Sequence, residues 1–319
     1  MQRMTKGEHP SASLRLQALI DRARELGPIT MAVVHPVDEP SLSGAADAAK
    51  AGLIKPLFVG PEDKIRRAAE EAQIDLAGIE IISTPHSHAA AERAVELVRE
   101  GRAQSIMKGA LHTDEVLAPA VDKTKGLRTA RRMSHVFVLD APQAERLLFV
   151  SDAAINIAPT LDELKDIVQN AIDMARATGV ETPRVAILSA VETVTAKLPS
   201  TLNAAALCKM ADRGQITGGV LDGPLAFDNA ISKEAAETKH IVSPVAGAAE
   251  VLIVPDLISG NVLVKELDYL AGAEAAGLVV GARAPIALTS RADTPFERVA
   301  SAALAVLFHH WSGLAERGA

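Results

Sequence analysis

The sequence alternates short apolar runs with longer amphipathic segments almost from end to end, and this alternation strongly limits the folds open to it. Apolar runs such as ITMAVVHP, KPLFVG and SIMKGA are separated by segments of helical periodicity such as PEDKIRRAAEEAQ. Short apolar runs are typical of parallel strands buried on both faces, and amphipathic segments of this length are typical of crossover helices. The sequence therefore predicts an α/β fold in which helices cover mostly parallel sheets.

The alternation changes at residues 134–152. There SHVFVLD and LLFVSD, two strand-like runs, are separated only by APQAER, which is too short for a crossover helix. The short gap predicts an antiparallel pair or a domain transition. We therefore favour two α/β/α layered domains over a single (β/α)₈ barrel. Residues 1–140 completed by 284–319 form the predicted domain I, and residues 141–283 form the predicted domain II.

Charge and motif content exclude several classes of protein. The net charge of −7, from 33 basic and 40 acidic residues, argues against a nucleic-acid or anionic-membrane surface. No apolar run approaches the ~18 residues of a membrane span, and the first residues lack the apolar core of a signal peptide. We therefore expect a cytoplasmic protein. Neither a GxGxxG motif nor a Walker loop is present, so the usual motifs for nicotinamide and nucleoside-triphosphate binding are missing.

The single cysteine, Cys208, excludes an internal disulfide and a cysteine-rich metal site. It lies in the helical pattern NAALCKMADRG, where a small buried side chain is the expected role. We therefore look for chemistry elsewhere in the chain.

Polar and charged side chains follow the predicted strands, at the end where open α/β sheets bind ligands. These residues are Lys108, Ser151, Asp152, Asn156, Asp222, Asp256, Asn261, Ser290, Arg291 and Asp293. Several of them, and some neighbours, also have a purely structural interpretation. Asp222-Gly223-Pro224 fits a turn, Ser259 a helix cap, and Lys108 and Arg131-Arg132 solvated charges. Thr294 and Glu297 have capping-box spacing, with Pro295 at the first helical position.

Ser290 and Arg291 are the pair that a turn explains least well. They end the apolar run PIALT, and a loop that only reverses the chain needs neither side chain. An arginine that emerges from a buried strand end suits a phosphate or carboxylate ligand, because its planar guanidinium matches those oxygens.

Several stretches of the sequence resemble the phosphate acetyl/butyryltransferase family. The matching stretches between residues 105 and 294 are MKGALHTDEVL, SDAAINIAPTLDELKDIVQNA, VAILSAVETVTAKLPST, GGVLDGPLAFDNAIS, VPDLISGNVLVKELDYLAGAEAAG and LTSRADT. Several motifs in one order make the resemblance specific. The chain is also similar to the phosphate acyltransferase half of proteins fused to an enoyl-CoA hydratase-like domain.

The resemblance implies a fold and an activity. Members exchange an acyl group between coenzyme A and inorganic phosphate, without a metal and without a permanently bound cofactor. Their two α/β/α domains face each other across a cleft, in a fold related to the isocitrate and isopropylmalate dehydrogenases. Members are typically homodimers, and small-residue helices such as LAGAEAAG would pack closely against a partner.

The resemblance also implies roles for residues near the C-terminus. Arg291 would hold the phosphate, and Ser290 would hydrogen-bond the thiol or the acyl carbonyl. In the acetyltransferases a catalytic aspartate stands seven residues after the serine; here that position is Glu297, and Asp293 is the nearer carboxylate. The remaining candidates for substrate binding are Lys108, Asp222, Asp256, Asn261 and Arg131.

The acetyl reaction is favoured over the butyryl reaction. Two other functions stay open at the level of sequence. One is a dehydrogenase on the same fold, although neither an aspartate metal cluster nor a nicotinamide pocket is identifiable. The other is a non-catalytic protein that binds coenzyme A or an acyl phosphate.

Overall fold

The computed structural model describes residues 13–290 and 293–317, which form two compact units. The central unit comprises Arg132–Ala275 together with the described residues up to Arg15. The terminal unit comprises Leu16–Arg131 and the described chain from Ala276 onward.

Strands and helices are numbered in chain order. The strands are β1 (Ile29–Val34), β2 (Ile54–Gly60), β3 (Glu80–Ser83), β4 (Ser105–Lys108), β5 (Ser134–Asp140), β6 (Leu148–Ser151), β7 (Arg184–Leu188), β8 (Val220–Leu225), β9 (Val251–Ile253), β10 (Glu274–Val280) and β11 (Ile286–Ala287). The helices are α1 (Leu14–Leu26), α2 (Glu39–Lys50), α3 (Glu62–Glu71), α4 (Ser87–Arg99), α5 (Thr113–Ala120), α6 (Leu161–Ala177), α7 (Pro199–Asp212), α8 (Phe227–Ile231), α9 (Lys233–Thr238), α10 (Leu257–Tyr269) and α11 (Pro295–Arg317).

The sheet of the terminal unit has the strand order β3-β2-β1-β4-β11-β10. All neighbours in it are parallel except β10 and β11, which are antiparallel. Side chains of β1 such as Met31 are fully buried, as expected for a strand in the middle of a covered sheet. Helix α11 packs on α2 and contacts β4 and β11, so it belongs to this unit.

The sheet of the central unit has the order β5-β6-β9-β7-β8. β5 and β6 are antiparallel, which confirms the pair predicted at residues 134–152, and the other neighbours are parallel. Its core gathers apolar side chains from the strands and helices around β6 and β9, among them Leu139, Val150, Leu252 and Val264.

The strands do not close into a barrel: among the described strands, β3 pairs only with β2 and β8 pairs only with β7. The (β/α)₈ barrel alternative is therefore wrong. A mixed α/β fold with mostly parallel pairing is confirmed, because crossover helices return each strand in the same direction. The predicted domain limits stay a prediction.

Two sequence interpretations differ from the structure. Sequence periodicity assigned no helix to α1, although Leu16, Leu19, Ile20 and Ala23 have helical spacing and are buried. The segment LAGAEAAG is not a helix: α10 ends at Tyr269 and β10 begins at Glu274. Gly272 lies between them with φ of 67°, a conformation that breaks a helix and suits glycine.

Candidate functional site

Three neighbouring strands of the terminal unit bring several candidate residues to one edge of its sheet. Val34 of β1 is paired with Lys108 of β4, and Ala287 of β11 is paired with Met107. Because the three strands are parallel, the residues at their carboxyl ends meet at the same edge. His35 follows β1, Lys108 ends β4, and Ser290 stands three residues after β11.

Lys108 is held inside this edge. Its side chain is 8% exposed, and its Nζ donates a hydrogen bond to the carbonyl of Leu111 at 3.3 Å. Its own carbonyl accepts a hydrogen bond from the Thr289 hydroxyl at 2.8 Å. The interpretation of Lys108 as a solvated surface charge is therefore wrong. Its hydrogen bonds connect the loop after β4 with the chain after β11.

The chain around Ser290 is fixed by hydrogen bonds. The Ser290 N–H donates to Oδ2 of Asp293 at 2.6 Å. Arg298 is 6% exposed and donates from Nη2 to the Ser290 carbonyl at 2.8 Å. Its Nε donates to the Asp293 carbonyl at 3.3 Å. Arg291, the predicted phosphate ligand, lies outside the described residues. Sequence reasoning missed Arg298, whose position inside a helical pattern gives no sign of this contact.

Glu297 has the structural role that its spacing predicted. The Thr294 N–H donates to Oε2 of Glu297 at 2.7 Å, and the Glu297 N–H donates to the Thr294 hydroxyl at 3.2 Å. This capping box and the position of Pro295 as the first residue of α11 are confirmed. Glu297 is only 2% exposed, whereas Asp293 is half-buried.

A pocket of about 700 Å³ opens in the central unit, beyond the carboxyl ends of β7 and β9. The first residues of α7 and α10 also border it. Most of its lining is apolar: Ala158, Pro159, Leu188, Ala190, Leu198, Pro199, Phe227, Val254, Pro255 and Leu263. Its polar lining is Ser189, Ser200, Asn203, Asp256 and Ser259. A concave, mainly apolar pocket with a few polar groups is the usual form of a small-molecule site.

Asp256 and Asn261 lie at this end of the central sheet. Asp256 is the N-cap of α10 and accepts hydrogen bonds from the N–H and hydroxyl of Ser259, at 2.8 and 3.0 Å. The interpretation of Ser259 as the cap is therefore wrong. Asn261 donates to the carbonyl of Ala153 at 3.3 Å.

Ser189 and Ser200 are pocket residues that sequence reasoning missed. Their hydroxyls are 2.8 Å apart. Ser189 directly follows β7, so the rule that placed the other candidates at strand ends would also have found it.

Asp222 is separate from the pocket and is not part of a turn. The residues Asp222-Gly223-Pro224 lie within β8, and Oδ1 of Asp222 accepts from the Gly223 N–H at 2.8 Å. A Cβ on Gly223 would lie 2.7 Å from the Ile187 carbonyl oxygen, so this glycine allows close approach of β7 and β8. The turn interpretation failed because Gly-Pro is a strong turn signal in sequence.

Asp152 and Asn156 form a buried polar cluster at the end of β6. The Asp152 carboxylate accepts from the Asn156 amide at 2.6 Å and from main-chain N–H groups of Ala154 and Ile155. Burial nevertheless raises the pKa of Asp152 above its usual range. Arg132 donates to Oδ1 of Asn156 at 2.7 Å. This cluster fixes the loop after β6.

Arg131 lies in the terminal unit, where it is exposed, and its N–H donates to the Thr129 hydroxyl at 3.1 Å.

Across residues 13–290 and 293–317, no group of three His, Cys, Asp or Glu side chains is arranged to hold a metal ion. Within the same ranges, none of the helices combines the length and apolar character needed to cross a membrane.

Comparison with known proteins identifies the family. Residues 87–306 match the model of the phosphate acetyl/butaryl transferase family. The chain is 59% identical over 299 residues to a phosphate acetyltransferase of Rhizobium meliloti, covering 94% of this chain and 95% of that protein. It is 43% identical over 286 residues to a phosphate butyryltransferase of Clostridium acetobutylicum, covering 90% and 94%.

A solved structure agrees with this assignment. The branched-chain phosphotransacylase of Enterococcus faecalis V583 matches with a TM-score of 0.78 and 29% identity, covering 88% of this chain and 99% of that one. The chain therefore belongs to the phosphate acetyl/butyryltransferase family of acyltransferase enzymes.

Proposed function

We propose that this chain exchanges an acyl group between coenzyme A and inorganic phosphate, and that acetyl is its preferred acyl group. The observation that carries the proposal is the high identity with the Rhizobium meliloti phosphate acetyltransferase along almost the whole chain. The butyryl relative is less similar, which favours acetyl over butyryl.

The chemistry assigned to the edge of the terminal sheet is acyl transfer. In the direction from acyl phosphate, a base removes the thiol proton of coenzyme A, the thiolate attacks the acyl carbonyl, and phosphate leaves with the bonding electron pair. Arg291 holds the phosphate oxygens and stabilises their charge, and the Ser290 hydroxyl donates to the carbonyl oxygen or contacts the thiol. Lys108 supports the loop in which these residues stand.

Asp293 fits the role of base better than Glu297. Glu297 is 2% exposed, and its Oε2 accepts from the N–H of Thr294, the residue before α11. Asp293 is half-buried and its carboxylate lies one hydrogen bond from the main chain of Ser290. A base must reach the thiol, so the more accessible carboxylate is favoured.

Two isosteric variants decide between the carboxylates. We expect Asp293→Asn to lower kcat by about 10²–10⁴-fold, the usual contribution of a general base. Glu297→Gln should keep most activity, because glutamine still completes a capping box. The opposite outcome would assign the base to Glu297.

The pocket of the central unit is proposed to take an uncharged part of coenzyme A. Among the described residues that line it, none is a lysine or an arginine, and most of the lining is apolar. This lining suits the pantetheine arm or the adenine base better than the phosphates. Asp256 and the Ser189–Ser200 pair would then supply hydrogen bonds to amide or ring nitrogen atoms.

The remaining proposals concern Asn261, Asp222 and Arg131, the assembly and the cell compartment. Asn261 supports the loop beside the pocket. Contact of Asp222 and Arg131 with the substrate remains a proposal.

We propose a homodimer that acts in the cytoplasm, where coenzyme A thioesters are formed. Its reaction requires neither metal nor permanently bound cofactor, because Arg291 supplies the positive charge.

The test is an assay of thiol release from acetyl-, propionyl- and butyryl-coenzyme A. We expect release that depends on phosphate, persists in the presence of a chelator, and is fastest with the acetyl substrate. A preference for butyryl-coenzyme A would correct the acyl group. Binding of coenzyme A without turnover would instead establish the non-catalytic alternative.

A further inference from the structure

His35, the residue that follows β1, has a backbone conformation that residues with a side chain rarely adopt. Its φ is 54°, in the left-handed region that favours glycine. Backbone strain of this kind persists only where the surroundings impose it, and it concentrates at ligand-binding sites. The other non-glycine residues with positive φ in the described chain, Gln73 and His240, follow helices and not strands.

The surroundings impose the conformation of His35 through both of its neighbouring strands. The His35 N–H donates to the Val59 carbonyl at 2.7 Å, and the His35 carbonyl accepts from Ala110 at 3.0 Å. A Cβ on Gly60 would lie 3.3 Å from the Cα of His35 and 3.6 Å from its Nδ1. A Cβ on Gly109 would lie 2.9 Å from the His35 carbonyl oxygen. The absence of a side chain at Gly60 and at Gly109 therefore leaves the space that the main chain and ring of His35 occupy.

The surroundings of His35 favour the neutral form of its imidazole. Burial lowers the pKa of the ring from the usual value, and the positive charge of Lys64 lowers it further. Asp38 and Glu115 act in the opposite direction but do not reverse the shift. In the neutral ring, one nitrogen is a donor and the other an acceptor.

The environment of the ring indicates which nitrogen carries the proton. Nδ1 is buried and has no hydrogen-bond partner in the described part of the chain. A buried N–H without an acceptor is rarer than a buried acceptor without a donor, so the proton is assigned to Nε2. Nε2 is not among the buried unpaired atoms, and the side chain is only half-buried. The ring therefore presents one accessible N–H group.

We propose that His35 contacts the substrate, donating a hydrogen bond from Nε2 to an oxygen of the phosphate or acyl-phosphate group. The inference rests on the proposed function, and it is carried by the position of His35 at the same sheet edge as Lys108 and Ser290. A hydrogen-bond donor of this kind adds direction to the binding of an anionic oxygen.

The test uses His35→Asn and His35→Gly. Asparagine tolerates positive φ but its amide is shorter than imidazole, and glycine relieves the backbone strain entirely. We expect both variants to lower kcat/KM for phosphate by about 10–100-fold, the effect of one hydrogen bond to a charged group. The KM for acetyl-coenzyme A should stay near that of the wild type, and the melting temperature of His35→Gly should not fall.

His240→Gly is the matched control. His240 has the same φ of 54° but is exposed in the central unit, so its replacement should leave the kinetics unchanged. The rise of melting temperature with inorganic phosphate, measured without turnover, should be smaller for His35→Gly than for the wild type and for His240→Gly.

Two failures are distinguishable. If His35→Gly keeps the wild-type kcat/KM for phosphate and the full stabilisation by phosphate, the strained turn is only structural and the inference is wrong. If the wild type shows no phosphate-dependent turnover, the proposed function fails, while the melting experiment still tests whether His35 binds phosphate.

Discussion

At the scale of the residue, Arg291 and its serine neighbour carry the proposed chemistry. The side chain of Arg298, on α11, holds the main chain of Ser290 and Asp293, because it donates hydrogen bonds to both of their carbonyls. Main chain held in this way at Ser290 and Asp293 loses little conformational freedom when a substrate binds, which favours precise contacts there.

Replacing Arg291 should therefore affect activity far more than folding. We expect Arg291→Ala to lower kcat by about 10²–10³-fold, since one charge-assisted contact to a transition state contributes ~3–4 kcal/mol. Arg291→Lys should recover little, because a lysine lacks the planar fork of the guanidinium. Steady-state kinetics with phosphate, paired with thermal melting, measures both effects. Near-normal turnover in Arg291→Ala would show that LTSRADT is a turn without catalytic function.

His135 determines a second property at this scale, the response of stability to acid. It is 1% exposed beside Phe137, and burial lowers its pKa to about 3. The folded protein keeps this ring neutral, whereas the unfolded chain binds a proton below its ordinary pKa of about 6.5. Stability is therefore complete above that pH and falls as the pH drops from 6.5 toward 3.

The variant His135→Phe should lose less stability in acid. Between pH 7 and pH 5 we expect His135 to account for about 2 kcal/mol of lost unfolding free energy, since each pH unit contributes up to ~1.4 kcal/mol. Denaturant unfolding at the two pH values measures the difference. His240→Gln, which replaces an exposed histidine of the same unit, should keep the wild-type difference. Equal acid sensitivity in wild type and His135→Phe would contradict this account.

At the scale of the element, the packing of α2 on α11 controls the loop that carries Ser290. Gly44 of α2 faces Arg298 of α11, and a Cβ there would lie 2.8 Å from the Cδ of the arginine. Glycine thus leaves the space in which Arg298 lies, and Arg298 in turn holds the main chain of Ser290 and Asp293.

Gly44→Ala should consequently be destabilising, against the usual sign for glycine in a helix. Alanine normally stabilises a helix by about 1 kcal/mol relative to glycine, but overpacking a close contact costs about 1–3 kcal/mol. We expect a net loss of stability and a lower kcat, measured by denaturant unfolding and by the acyl-transfer assay. Ser43→Ala, one residue earlier in the same helix, is the control and should change neither. A stabilised, fully active Gly44→Ala would show that Arg298 moves aside without consequence.

At the scale of the whole molecule, association is the property that sequence resemblance implies and that surface chemistry supports. Helix α10 carries large apolar side chains that are exposed in the single chain: Ile258 is 73% exposed and Val262 is 58% exposed. Ile157, whose carbonyl accepts from the N–H of Leu257, is 71% exposed beside the start of this helix. An apolar surface of this kind is typical of a protein–protein interface.

We expect the protein to sediment as a dimer, at about twice the chain mass of 33.4 kDa. Ile258→Lys combined with Val262→Asp should shift it to the monomer by placing charges in the contact. Val242→Asp, at a fully exposed apolar residue outside α10, should leave the dimer intact. A wild-type protein that sediments as a monomer at assay concentrations would contradict the expected homodimer.

From the amino-acid sequence alone we predicted the α/β class, the antiparallel pair at 134–152, the capping box at Thr294 and the family. These follow from periodicity and from contacts between residues close in the chain, which a pattern of residue types records. Three findings required the folded structure: Asp222 lies inside a strand, Arg298 holds the Ser290 loop, and His35 is strained beside Lys108. Each of these depends on which distant strands and helices become neighbours, and a linear pattern does not encode the space that Gly44, Gly60 or Gly109 leaves for a partner far away in the chain.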